Sequence, residues 1–169
     1  MKSIILLVLF VSLSSAVKLG SVPPSVVLTK DTGGKVKGGA WRSSALKGKV
    51  QTLFYVDPDE KDLNSHVSEA LSELSDSGVE FQSTAIINMA ATWLPNFAIA
   101  NALKKKQKKY PNAIYVKDLD KVLVNKWHLK DDSSNILLFN KEGKLIFINQ
   151  GKVSKARLKE FLQLIKDNA

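Results

Sequence analysis

Residues 53–56 (Leu53, Phe54, Tyr55, Val56) form an unbroken apolar run inside the wider segment 49–56. A run of that length without polar alternation predicts a central strand covered on both faces. Leu63, Val67, Ala70, Leu71 and Leu74 then recur at steps of three and four. That spacing predicts an amphipathic helix starting near Asp59 or Asp62 and stopping at Gly78. Segment 79–88 reads as a second strand with Ile86 and Ile87 at its buried end. Pro95 suits the first turn of a second helix carrying Phe97, Ile99 and Leu103. Strand, helix and strand in this order make a right-handed unit with parallel strands.

Further along, 113–116 predicts a short strand and 119–126 a short helix ending at Trp127. Segments 135–139 and 144–148 flank Asn140-Lys141-Glu142-Gly143, a tight reversal that predicts an antiparallel hairpin. The last helix, 154–167, opens on a Ser cap and repeats Leu158, Phe161, Leu162 and Ile165 on one face. Ahead of all this, Pro23-Pro24, Gly33-Gly34 and Gly38-Gly39 mark 17–47 as an irregular lead-in with short strands at 26–29 and 35–37. No repeat or interdomain linker interrupts 17–169, so a single domain is expected.

The first 16 residues follow a different logic. Lys2 precedes the apolar run 4–10, and Ser14-Ser15-Ala16 supplies the small residues of a signal-peptidase site. Cleavage after Ala16 and export to the periplasm are expected. The run is shorter than the roughly 20 residues that cross a bilayer, so the processed chain is not expected to be an integral membrane protein. The sequence has no cysteine. That excludes a disulfide, a dithiol relay, a thiolate metal site and a lipid-modified cysteine, and with them thiol-disulfide oxidoreductase and peroxidase activity. The formal charge is +9, from 25 basic and 16 acidic residues. The densest basic patch is Lys104, Lys105, Lys106, Lys108 and Lys109. It suits either an anion-binding surface or a helix C-terminus, where cations are favoured by about 0.3–1 kcal/mol each.

The order of elements resembles the thioredoxin-like fold, in its exported and peroxiredoxin-like branches. The closer resemblance is to the YtfJ family of bacterial periplasmic thioredoxin-like proteins, over essentially all of 17–169. It rests on Val22-Pro23-Pro24, Trp41, Ser43-Ser44, Leu46, Gly48-Lys49-Val50, Glu60-Lys61 and Asn64. It continues through Thr84, Ile86, Asn88, Lys108-Lys109-Tyr110-Pro111, Asp118, Trp127-His128-Leu129, Asp132-Ser133-Ser134, Gly143 and Gly151. The resemblance implies an α/β three-layer sandwich, a mixed sheet with helices on both faces and an N-terminal β extension. It also places Glu60 and Leu63 opposite the two cysteines of a working thioredoxin-like enzyme, and Ser134 where such enzymes carry a cis-proline. Family members are often labelled transcriptional regulators. An export signal, and the absence of any helix-turn-helix, zinc finger or basic-aromatic motif, argue against nucleic acid as a partner here.

These readings give a candidate binding groove of Trp41, Asp57, Asp59, Glu60, Trp127 and Ser134. Asp57, Asp59 and Glu60 suit either a cation or the positive end of a helix. Trp41, Trp127 and Trp93 suit either a groove wall or core packing. His66 and His128 lie far apart in sequence without a ligand motif, so no metal site, catalytic residue or cofactor is assigned. The leading expectation is a non-catalytic binding module for a protein or peptide partner. The alternatives are an enzyme using carboxylates in the same groove, or a binder of nucleic acid or anionic surfaces through the lysine patch.

Overall fold

The computed structural model describes residues 16–169; residues 1–15 of the expected leader lie outside the described residues. Six strands form one mixed sheet in the order β2-β6-β5-β4-β7-β8. Its parallel part is β4 (Gln51–Val56), β5 (Gln82–Asn88) and β6 (Ile114–Asp118). The hairpin strands β7 (Ser134–Phe139) and β8 (Leu145–Gln150) add antiparallel to β4, and β2 (Gly33–Lys35) adds antiparallel to β6. A separate small ribbon pairs β1 (Val27–Leu28) with β3 (Trp41–Arg42). The helices are α1 (Ser65–Asp76), α2 (Asn96–Lys109), α3 (Val122–Trp127) and α4 (Lys155–Asn168).

Strand alternation divides the core into two layers. Leu53, Tyr55, Ile86, Val116, Leu137 and Phe139 point to one face and pack with Leu123 of α3 and with Val26, Leu28, Trp41 and Leu46 of the N-terminal extension. Ile136, Leu138 and Phe147 meet Val67, Leu71 and Leu74 of α1 and Phe161 and Ile165 of α4 on the other. Ile99 and Leu103 of α2 pack on Ile87 and Tyr115, whose register puts them on the α1 side. That is what right-handed crossovers require when successive parallel strands advance in one direction. The three-layer, thioredoxin-like architecture expected from the sequence is the one observed.

Three expectations are corrected. Trp41 and Trp127 do not line a groove: both are buried in the core. They meet edge to face at 6.3 Å between ring centroids, and the Trp127 indole donates to the Pro24 carbonyl at 2.9 Å. The helix after β4 starts later than its acidic residues suggest, because 58–60 close a 3-10 turn and Asn64 is used for a tertiary clamp. Its amide donates to Ser134 Oγ and the Gly151 carbonyl, and its Oδ1 accepts from the Val153 amide. The second lead-in strand is Gly33–Lys35 rather than 35–37, because the chain reverses at Gly38-Gly39 and Lys35 pairs with the Gly39 carbonyl. Gly33 lies so close to β6 that an added Cβ would sit 1.9 Å from the Lys117 carbonyl oxygen, at φ +129°. Only glycine fits there.

The five lysines of the basic patch are all exposed near the end of α2. Gln107 alone among them turns inward, donating to the Tyr110 and Ala113 carbonyls and accepting from the Tyr115 amide. Among the described residues no helix is long and apolar enough to cross a membrane.

Candidate functional site

The C-terminal ends of parallel strands are where open α/β sheets gather binding groups, because strand order changes direction there and leaves a crevice. In this chain β4 ends into Asp57 and β5 ends at Asn88. The loop 130–133, leading into β7, crosses beside both. Asp57 has 1% and Asn88 0% of its surface exposed, so neither polar side chain is explained by solvation.

Asp57 is held from two sides. Its amide donates to the Ser133 carbonyl at 3.0 Å, and its Oδ2 accepts from the Ser133 amide at 2.7 Å. The second oxygen, Oδ1, is buried without a hydrogen bond. Burial pushes this carboxyl up to about 6. The Ser133 amide and the Asn88 side chain pull it down, while the Asp131 and Asp132 charges push it further up. Asn88 donates from Nδ2 to Asp131 Oδ1 at 3.0 Å, and its own Oδ1 is likewise buried without a partner. Asp131 also accepts from Lys121 Nζ at 2.6 Å. Burial works against the Asp131 anion, but the Lys121 ammonium, the Asp132 amide and Asn88 outweigh it and hold the carboxyl below its ordinary range.

One carboxylate oxygen from each of Asp57, Asp131 and Asp132 lies within 4.8 Å of the others. Asp132 and Lys121 adopt left-handed backbone conformations, with φ of 48° and 52°. Such a conformation is ordinary for Asp and costly for Lys, so the loop holds this geometry against local preference. Two oxygens facing inward without donors cost about 1–3 kcal/mol each when nothing satisfies them.

Of the sequence candidates, the structure brings Asp57 and Ser134 to adjacent strands, but Ser134 is buried and spends its hydroxyl on Asn64. Asp59 is exposed and Glu60 half-buried in the 3-10 turn above Asp57. Sequence reasoning missed Asp131, Lys121 and the siting of Asn88 and Asp132. The available signal was weak: an Asp-Asp pair just ahead of a predicted strand, and an Asn closing a strand of Ile residues.

A second feature lies on the same edge. Five residues after Asn88, the loop into α2 leaves Trp93 87% and Phe97 72% exposed, with Leu94 between them also exposed. Pro95 caps the helix in this stretch and fixes its entry.

Residues 24–168 match the model of a family described as bacterial protein of unknown function (YtfJ_HI0045). An uncharacterised protein from Haemophilus influenzae is 26% identical over 128 residues, covering 74% of this chain and 70% of that protein. The uncharacterised protein YtfJ of Escherichia coli is 23% identical over 130 residues, covering 75% and 70%. Among solved structures, the thioredoxin domain of a thiol-disulfide oxidoreductase from Bacteroides vulgatus superposes with a TM-score of 0.62. It shares 15% identity and covers 89% of this chain and 99% of that one. That likeness carries the fold alone, and this chain has no cysteine with which to run thiol chemistry.

Proposed function

Because the chain belongs to the YtfJ family, whose thioredoxin-like frame is here without cysteine, we propose that it is a periplasmic, non-catalytic binding module. Its docking edge for a protein partner is the ridge Trp93-Leu94-Phe97. The observation that carries the reading is the near-complete exposure of Trp93 and Phe97 at the mouth of the sheet. Large aromatic side chains are the residues most often found at the centre of protein interfaces, and clustered exposure of them marks contact surfaces.

The chemistry of the partner follows from the neighbouring charge. In a chain of net charge +9, Asp59 and Glu60 follow β4, and Asp131 and Asp132 lie by the end of β5, from which the ridge loop leaves. The partner segment therefore offers an apolar group for the ridge beside a basic one for the acidic rim. Complementary charge of this kind chiefly sets encounter rate and register. The lysines at the end of α2 are accounted for by the helix terminus and carry no part of this reading. Export through the leader 1–16 gives the module its compartment.

Crosslinked capture from periplasmic extract tests it, comparing wild type with Trp93→Ser/Phe97→Ser and with the five lysines changed to glutamine. One partner, retained by the lysine variant and lost with the aromatic variant, is the expected result. Identical recovery by wild type and the aromatic variant would remove the ridge from the function.

A further inference from the structure

We infer that Asp57, Asp131 and Asp132, with the carbonyl oxygen of Asn88, form a binding site for one hard divalent cation of the calcium class. The inference uses none of the ridge residues, and it shares Asp131 and Asp132 with the acidic rim beside them.

Three observations converge. The first is spacing. Three carboxylate oxygens from three residues lie within 4.8 Å of one another. Oxygens that share one calcium ion at about 2.4 Å each stand no more than about 4.8 Å apart, so the trio is close enough to share a single ion.

The second is the orphaned oxygens. Asn88 Oδ1 is buried without any hydrogen bond, and the amide that carries it is fixed to Asp131 through Nδ2. Asp57 Oδ1 is in the same condition, its partner oxygen being occupied by the Ser133 amide. Native folds rarely leave such buried acceptors unmet, and an ion held among the carboxylates would satisfy them. An all-oxygen set of carboxylates and an amide carbonyl selects calcium, magnesium or manganese over zinc or copper.

The third is charge. Three carboxylates and the Lys121 ammonium leave a local balance of −2, which a divalent cation neutralises. Lys121, paired with Asp131, then acts as a positioning residue for that ligand. Four protein oxygens leave the remaining coordination positions of a six- to eight-coordinate ion to water, on the exposed Asp132 side.

The test is calorimetric titration of EDTA-stripped protein with calcium, repeated with manganese and followed by the ion's paramagnetic resonance signal. Wild type is expected to take up one ion per chain, with manganese displaced by calcium. Asp132→Asn, at an exposed position that leaves folding intact, is expected to weaken binding at least tenfold. Asp59→Asn, on the neighbouring turn, is expected to leave it unchanged. Absence of saturable uptake up to about 5 mM, beyond the weakest range of natural calcium modules, would overturn the inference. So would Asp132→Asn binding as tightly as wild type. Trp93→Ser/Phe97→Ser should bind the ion normally, so failure of the docking edge and failure of the cation site are read separately.

Discussion

Replacing Asp57 by asparagine should stabilise the metal-free protein at neutral pH, and the size of the gain follows from the burial of that carboxyl. Asp57 titrates near 6 in the folded chain, against an ordinary 3.8. Its proton is thus bound more tightly in the folded state by about 3 kcal/mol. Because the folded value is raised, this stability is fully present below pH 3.8 and is lost as pH rises through 6. Asparagine reproduces the protonated form: its carbonyl accepts from the Ser133 amide as Oδ2 does now, and its NH2 brings a donor to a neighbourhood where Asn88 Oδ1 lacks one. In EDTA, Asp57→Asn should exceed wild type by up to about 3 kcal/mol at pH 7.5. That corresponds to about 6–12 °C in Tm for a domain of this size. The advantage should vanish near pH 4. Urea unfolding followed by the fluorescence of buried Trp41 and Trp127, at half-unit steps from pH 4 to 8, measures the difference directly. A variant less stable than wild type at pH 7.5, or a difference that does not change with pH, would refute the reasoning.

Other expected outcomes rest on packing and backbone geometry. Trp127→Ala should cost about 3–5 kcal/mol in urea unfolding, since it removes a fully buried indole, its contacts with Trp41 and Phe139 and its bond to Pro24. Asn64→Ala should cost about 2–4 kcal/mol, because the Val153 amide loses its acceptor and the Gly151 carbonyl and Ser134 hydroxyl lose a donor. Gly33→Ala should unfold or strongly destabilise the β2–β6 edge, visible as rapid hydrogen exchange at the Val36 and Leu119 amides, which donate to the Tyr115 and Thr32 carbonyls across it; protection equal to wild type would contradict the close approach to Lys117. Trp93→Ser/Phe97→Ser should change stability by no more than about 0.5 kcal/mol, as both side chains lie in solvent.

The elements of this protein are written locally, and the sequence determines them for that reason. The continuous run Leu53-Phe54-Tyr55-Val56 is a central strand because only burial on both faces tolerates it. The repeats in α1 and α4 are helices because three- and four-residue steps fall on one side. Gly143 closes the hairpin with φ +76° as a tight reversal demands. The absence of cysteine settles the exclusion of thiol chemistry without any structure.

The site was not legible in the same way, because it is assembled by pairing between distant segments. Asp57 and Asp131 are 74 residues apart and meet only because β4 lies between β5 and β7, with the Asp57 carboxylate taking the Ser133 amide. Adjacent acids at Asp57, Asp59 and Glu60 looked like one group, yet the chain turn sends Asp57 inward and Asp59 out. Trp41, Trp127 and Trp93 suited either a groove wall or the core by sequence; the first two are core, whereas Trp93 is exposed. An indole carries no local mark of which side of a sheet it will face. Periodicity records what each segment buries; which polar groups are left facing one another at the ends of the strands is decided by strand order and register alone.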